Sequence, residues 1–136
     1  MEQLGDEDYE IIVLTALHLL GGTASTDQVE RLLEKGLLSK VLADHPEQEK
    51  DRKSGGITWW NNARLARQHL KEKGELDGSK HGIWTLTEQG RRRLQDMPEL
   101  WKLTSKLLGL PQEKRSALFA KVVEILRAAR KRGLKI

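Results

Sequence analysis

The segment TWWNNARLARQHLKEKG, Thr58 to Gly74, constrains this chain more than any other. Trp59, Ala63, Ala66 and Leu70 recur at helical spacing and share one face. At roughly 100° per residue, Asn61, Arg64, Gln68 and Lys71 lie nearly opposite, with Trp60 and Arg67 on the flank. The pattern predicts a helix over 58–73 with one stripe for a core and one for solvent or a ligand. Gly74 stands where a helix-ending glycine belongs.

The residues after Gly74 narrow the fold further. In ELDGSKHGIWTL, Glu75-Leu76 and Ile83 to Leu86 read as two short strands, and Asp77 to Gly82 as the turn between them. Thr87 then caps a helix running through Leu94, in which Gly90 is a mild cost. Upstream, a helix is expected from Glu7 to Leu20, capped by Asp6 and stopped by Gly21-Gly22. Ser25 or Thr26 opens a second helix; Ser25 and Gln28 have capping-box spacing, and Val29, Leu32 and Leu33 form its inner stripe. The stretch Leu37 to Ser54 ends in HPEQEKDRKSGG and reads as a long polar loop, a feature that is often functional.

Pro98 and Pro111 can each open a helix in the C-terminal part, the second with Leu118, Val122, Ile125, Leu126 and Ala129 on one stripe. The expected fold class is mainly α with a small β-hairpin: a winged helix-turn-helix over 1–96 and a helical appendage over 97–136. Trp59 and Trp84 are expected in the core, Trp60 under the long loop, and Trp101 between domain and appendage.

Charge is polarised along the chain. Residues 1–49 carry 3 Lys/Arg against 11 Asp/Glu, whereas residues 50–136 carry 21 against 9. A basic half and a pI near 9.4 fit a face that attracts polyanions, or a solvated helix-rich surface. There are no cysteines, so disulfides and thiolate metal sites are excluded. The acidic start MEQLGDEDYE does not read as a signal peptide, and no apolar run is long enough to span a bilayer. A cytoplasmic setting is expected.

Helix, connection, helix and hairpin in this order match a helix-turn-helix with a wing, in which the second helix of the pair enters the major groove of duplex DNA. Chemistry selects the residues. Arg64 offers a bidentate fork to guanine, and Asn61 and Gln68 can pair bidentately with adenine. Arg67 and Lys71 suit phosphates, as do Thr58 and Ser54 near the helix N-terminus. Trp60 can touch a sugar or base, and Lys80 and His81 sit at the wing tip. The competing reading is that these residues are a wet helix face. Arg91-Arg92-Arg93 reads as solvated, with phosphate contact as the alternative.

These residues resemble the N-terminal winged-helix domain of Mrr-type restriction proteins over roughly residues 9–95. The family pattern is an aromatic-x-N-x-x-x-[aromatic or leucine]-A-x-x-x-L-x-x-x-G helix and a hairpin ending in T-x-x-G. It falls on Trp59, Asn61, Leu65, Ala66, Leu70, Gly74, Gly82, Trp84, Leu86, Thr87 and Gly90. The resemblance implies a DNA-recognition module, usually fused to a nuclease domain, in systems that target modified DNA. The family's catalytic carboxylates and lysine belong to that other domain. Asp44, Glu47, Glu49 and Lys50 offer acids near a lysine, but in a polar loop without a strand framework.

No phosphate-loop, zinc-protease or nucleophile-elbow motif occurs, and the four histidines are scattered. The chain is therefore expected to lack catalysis, cofactor and metal. Its expected partners are double-stranded DNA, a nuclease domain or subunit, and a second copy through residues 97–136. Two other readings stand beside this one: a homodimeric winged-helix transcription regulator, and a protein-interaction winged helix.

Overall fold

The computed structural model describes residues 5–34 and 58–110. The expectations for Leu37–Ser54, for the acids around Lys50 and for the helix opened by Pro111 fall outside those residues.

Helix α1, Asp6–Leu19, is the centre of the molecule. Ile11, Ile12, Val13, Leu14, Ala16 and Leu17 are all fully buried. A helix apolar on every side must be surrounded, and α1 packs against the helices and the sheet alike. It starts one residue earlier than expected. Gly5, not Asp6, is the N-cap, and its N–H donates to the Asp8 carboxylate at 2.9 Å. Asp6, Glu7 and Asp8 fill the first turn, where negative charge suits the helix dipole.

Three residues, Thr23–Ser25, then form strand β1. This strand is absent from the sequence reading. It pairs antiparallel with a later strand through Thr23–Thr85, Ala24–Trp84 and Ser25–Ile83. Helix α2, Thr26–Leu32, begins with the expected reciprocal cap. The Gln28 N–H donates to Ser25 Oγ at 3.2 Å, and the Ser25 N–H donates to Gln28 Oε1 at 2.9 Å.

Helix α3 runs Thr58–Lys73, as predicted. Trp59, Ala63, Ala66 and Leu70 are buried on its inner side, which packs on α1. Gly74 ends it at a φ of +77°, a conformation that a side chain disfavours. The Glu75 N–H turns back to the Leu70 carbonyl at 2.9 Å. Strands β2, Leu76–Asp77, and β3, Ile83–Leu86, form the hairpin. Their register sets Leu76 opposite Leu86 and Asp77 opposite Thr85, and the sheet order is β1-β3-β2.

Helix α4, Glu88–Gln95, starts at Thr87. The Thr87 hydroxyl accepts from the Gly90 N–H at 3.2 Å and donates to the Gly74 carbonyl at 2.7 Å, so one side chain caps α4 and satisfies the end of α3. Gly90 is more than tolerated. A Cβ there would collide with the Glu75 carbonyl and come within 2.9 Å of Leu86 Cδ1. The T-x-x-G signature is the corner where α4 crosses the start of the hairpin.

Helix α5, Pro98–Leu108, has Pro98 in its first turn and buries Leu100, Thr104 and Leu107. It packs on α1 and α4. Trp101 stacks on His18 of α1 with ring centroids 4.6 Å apart. Burial, with Arg91 nearby, holds the His18 imidazole below its ordinary pKa. The architecture is mainly α with a small antiparallel sheet. Among the described residues no helix is long and apolar enough to cross a membrane.

Candidate nucleic-acid interface

The polar side of α3 and the far end of the hairpin enclose a groove of about 790 Å³. Trp60, Asn61, Arg64, Leu65, Arg67 and Gln68 line it from α3, Thr26 from α2, and His81, Gly82 and Trp84 from the hairpin. Asn61, Arg64, Leu65 and Gln68 succeed one another at +3, +1 and +3, which is one stripe of a helix, and all four are exposed.

The floor of the groove is aromatic. Trp60 lies nearly parallel to Trp84, with ring centroids 5.9 Å apart and planes at 13°. Trp59 meets Trp60 edge-on at 5.7 Å. The Trp84 indole N–H donates to Thr26 Oγ1 at 3.1 Å, which ties the hairpin to the start of α2. Trp84 is buried, as expected; Trp60 is half-buried.

The cations divide into three groups. Arg64 is exposed and has no hydrogen-bond or carboxylate partner among the described residues. Arg67 instead lies over Trp84, its guanidinium carbon 5.1 Å from the ring centroid. Its Nε is buried without a hydrogen-bond partner. Arg67 and Lys71 both reach the hairpin turn: a Cβ at Gly78 would stand 2.7 Å from Arg67 Nη2 and 2.8 Å from Lys71 Cδ. That spot is free only because residue 78 is glycine.

The turn carries the third group, exposed Lys80 and His81. Asp77 shapes the turn by accepting from the Ser79 N–H at 2.9 Å. This bond, the Ser79 side chain and the charges of Lys80 and Lys71 hold the Asp77 carboxyl below its ordinary range.

The ten residues expected at the interface thus fall into distinct places. Asn61, Arg64 and Gln68 share the exposed stripe of α3, with Gln68 Nε2 donating to Glu72 at 3.3 Å. Trp60 forms the floor, Arg67 and Lys71 bridge to the hairpin, and Lys80 and His81 stand on its turn. Thr58 opens α3, and Ser54 lies outside the described residues. The sequence reading of sites missed Leu65, Thr26 and Gly82. Leu65 was findable, since it sits four residues after Asn61 and three before Gln68; Thr26 and Gly82 join the groove only through the β1–β3 pairing.

The Arg91-Arg92-Arg93 run does not act as a unit. Arg92 pairs with Glu88 one turn earlier at 3.7 Å, in the open. Arg93 turns inward, and its Nη1 donates to Glu10 at 2.9 Å and to Glu75 at 2.6 Å. Glu10 also accepts from Lys73 at 2.6 Å, and His69 stands 3.9 Å away. Burial pushes the Glu10 carboxyl up, but the hydrogen bonds and charges of Lys73 and Arg93 outweigh it and hold the group below its ordinary pKa. Arg93 is a structural clamp between α1, α4 and the start of the hairpin. No group of three or more metal-ligating side chains occurs among the described residues.

Comparison with curated proteins and with solved structures returned no match. The family model described as the Mrr N-terminal domain matches residues 8–96, from the first turn of α1 to the end of α4, and includes the whole groove. The chain belongs to the Mrr N-terminal domain family.

Proposed function

We propose that this chain is a winged-helix module that binds double-stranded DNA, with α3 in the major groove and the hairpin as a wing on the backbone. Its family places it in a restriction-system context. We read it as the recognition part of such a system, selecting DNA that can include modified bases, while cleavage is supplied by a fused or partner nuclease domain. On this reading the chain has no catalytic role.

The observation that carries the proposal is the exposed Asn-Arg-Leu-Gln stripe of α3, in whose middle Arg64 has no hydrogen-bond or carboxylate partner among the described residues. Arg67, Lys71, Lys73 and Arg93, by contrast, are engaged by an aromatic ring, the hairpin turn or a carboxylate. A planar guanidinium left open beside two carboxamides is the donor set that reads guanine and adenine edges. The major groove, about 12 Å wide, admits one helix, and α3 presents this stripe along its length. Lys71, Lys80 and His81 flank the stripe where backbone phosphates would run, and contacts of that kind orient the protein on DNA. The first turn of α3, beginning at Thr58, adds backbone N–H groups that favour phosphate.

Fluorescence anisotropy on a mixed-sequence duplex across a salt series tests this. Wild type should bind with a clear salt slope, and Arg64→Ala/Lys71→Ala should bind more weakly, with the slope flattened by about 1 through the lost phosphate contact. Absence of binding at low salt, or binding indifferent to the double substitution, would remove α3 from DNA.

A further inference from the structure

We infer that Leu65 is a specificity residue that reads the C5-methyl group of a pyrimidine; the inference rests on α3 being the DNA-reading helix. Leu65 and Leu108 are the large apolar side chains left exposed among the described residues, and of the two only Leu65 lines the groove, with 48% of its surface in solvent. Trp59, Ala63, Ala66 and Leu70 of α3 are buried in the core, and Trp60 is half-buried against Trp84. Leu65 makes no contribution of that kind. It stands between Arg64 and Gln68 and one turn after Asn61, so its branched end is framed by groups suited to base edges.

An isolated exposed leucine is unremarkable in itself. Its setting gives it meaning. The base edges in the major groove are lined with hydrogen-bond donors and acceptors, and the apolar feature among them is the C5-methyl of thymine. The same methyl at the same ring position is carried by 5-methylcytosine. A side chain that neither donates nor accepts gains from covering a methyl group and gains nothing from the bare C5 edge of uracil or cytosine. The neighbouring Arg64 and the Asn61 or Gln68 carboxamides then fix which base pairs flank the methylated pyrimidine.

The test starts by selecting tight-binding duplexes from a random pool with wild-type protein, once with ordinary cytosine and once with 5-methylcytosine. In the enriched duplex each thymine is replaced by uracil in turn, and each 5-methylcytosine by cytosine. Wild type should lose about fourfold in affinity at one such position, the worth of one buried methyl. Leu65→Ala should bind the methylated and unmethylated versions of that position equally, with an unchanged melting temperature. Loss at a thymine names thymine as the source of the methyl; loss at a modified cytosine names 5-methylcytosine. If no position shows a methyl effect, or Leu65→Ala keeps it, the inference fails while the DNA reading stands. If wild type enriches no duplex, the DNA reading itself fails and takes the inference with it.

Discussion

Arg93 and Arg64 are the same side chain put to opposite uses. Arg93 is clamped by two buried carboxylates, Glu10 and Glu75, that reach it from distant parts of the chain. Arg64 lies open on α3 with no partner among the described residues. The contrast extends to the surfaces they belong to. The inner side of α3 and its joins to α1 and α4 are satisfied: apolar groups are packed, caps are made and charges are paired. The outer side offers Asn61 and Arg64, which have no hydrogen-bond partner among the described residues, and Gln68, which gives one donor to Glu72. Stability should therefore be concentrated on the inner side and binding on the outer, and substitutions should separate the two.

The largest effect on stability is expected at Trp59, fully packed between α3 and the core. Trp59→Ala should cost about 3–5 kcal/mol in denaturant unfolding. Arg93→Ala comes next, since it leaves two buried carboxylates facing each other; a loss of about 3 kcal/mol is expected. A loss below about 1 kcal/mol would reduce the clamp to an ordinary surface pair. Gly90→Ala should cost about 1–3 kcal/mol, because the added methyl meets the Glu75 backbone rather than a movable side chain. Arg64→Ala should change stability by no more than about 0.5 kcal/mol, yet weaken DNA binding about tenfold or more. Equal damage to folding and binding at Arg64 would break the comparison.

The clamp also predicts a pH dependence. The Glu10 carboxyl is held below its ordinary value of 4.5, so the folded state favours its ionised form. That contribution is fully present above the ordinary carboxylate value and is lost as pH falls through the lower folded-state pKa. Melting temperature against pH should fall on the acid side for wild type. It should fall less for Glu10→Gln, which keeps an acceptor for Arg93 and Lys73 but has no proton to take up. Parallel acid limbs for the two proteins would show that the pairing contributes little.

Much of the fold is legible in the sequence because its signals are local. The apolar spacing of Trp59, Ala63, Ala66 and Leu70 sets the bounds of α3 and its inner face, and Ser25 with Gln28 and Thr87 mark two caps. The features that escape depend on contacts between distant residues. Strand β1 is three residues long, too short for alternation to register, and exists because β3 pairs with it. The inward turn of Arg93 requires Glu10 and Glu75 to meet at one point. Trp60 leans on Trp84 because the hairpin folds back over α3, and Arg67 joins it over the same ring. On the outer side, the polar stripe is legible residue by residue, while Leu65 enters the sequence reading only through a family pattern and not through its exposure.

On the reading proposed above, the open face of α3 and the hairpin turn meet DNA. Titrating isotope-labelled protein with a duplex while monitoring backbone amide resonances tests it most directly. Shifts are expected to concentrate at Asn61, Arg64, Leu65 and Gln68 and at Lys80 and His81, with the core side of α1 and the face of α5 unchanged. Shifts confined to α5, or none at a duplex concentration that saturates binding, would contradict it.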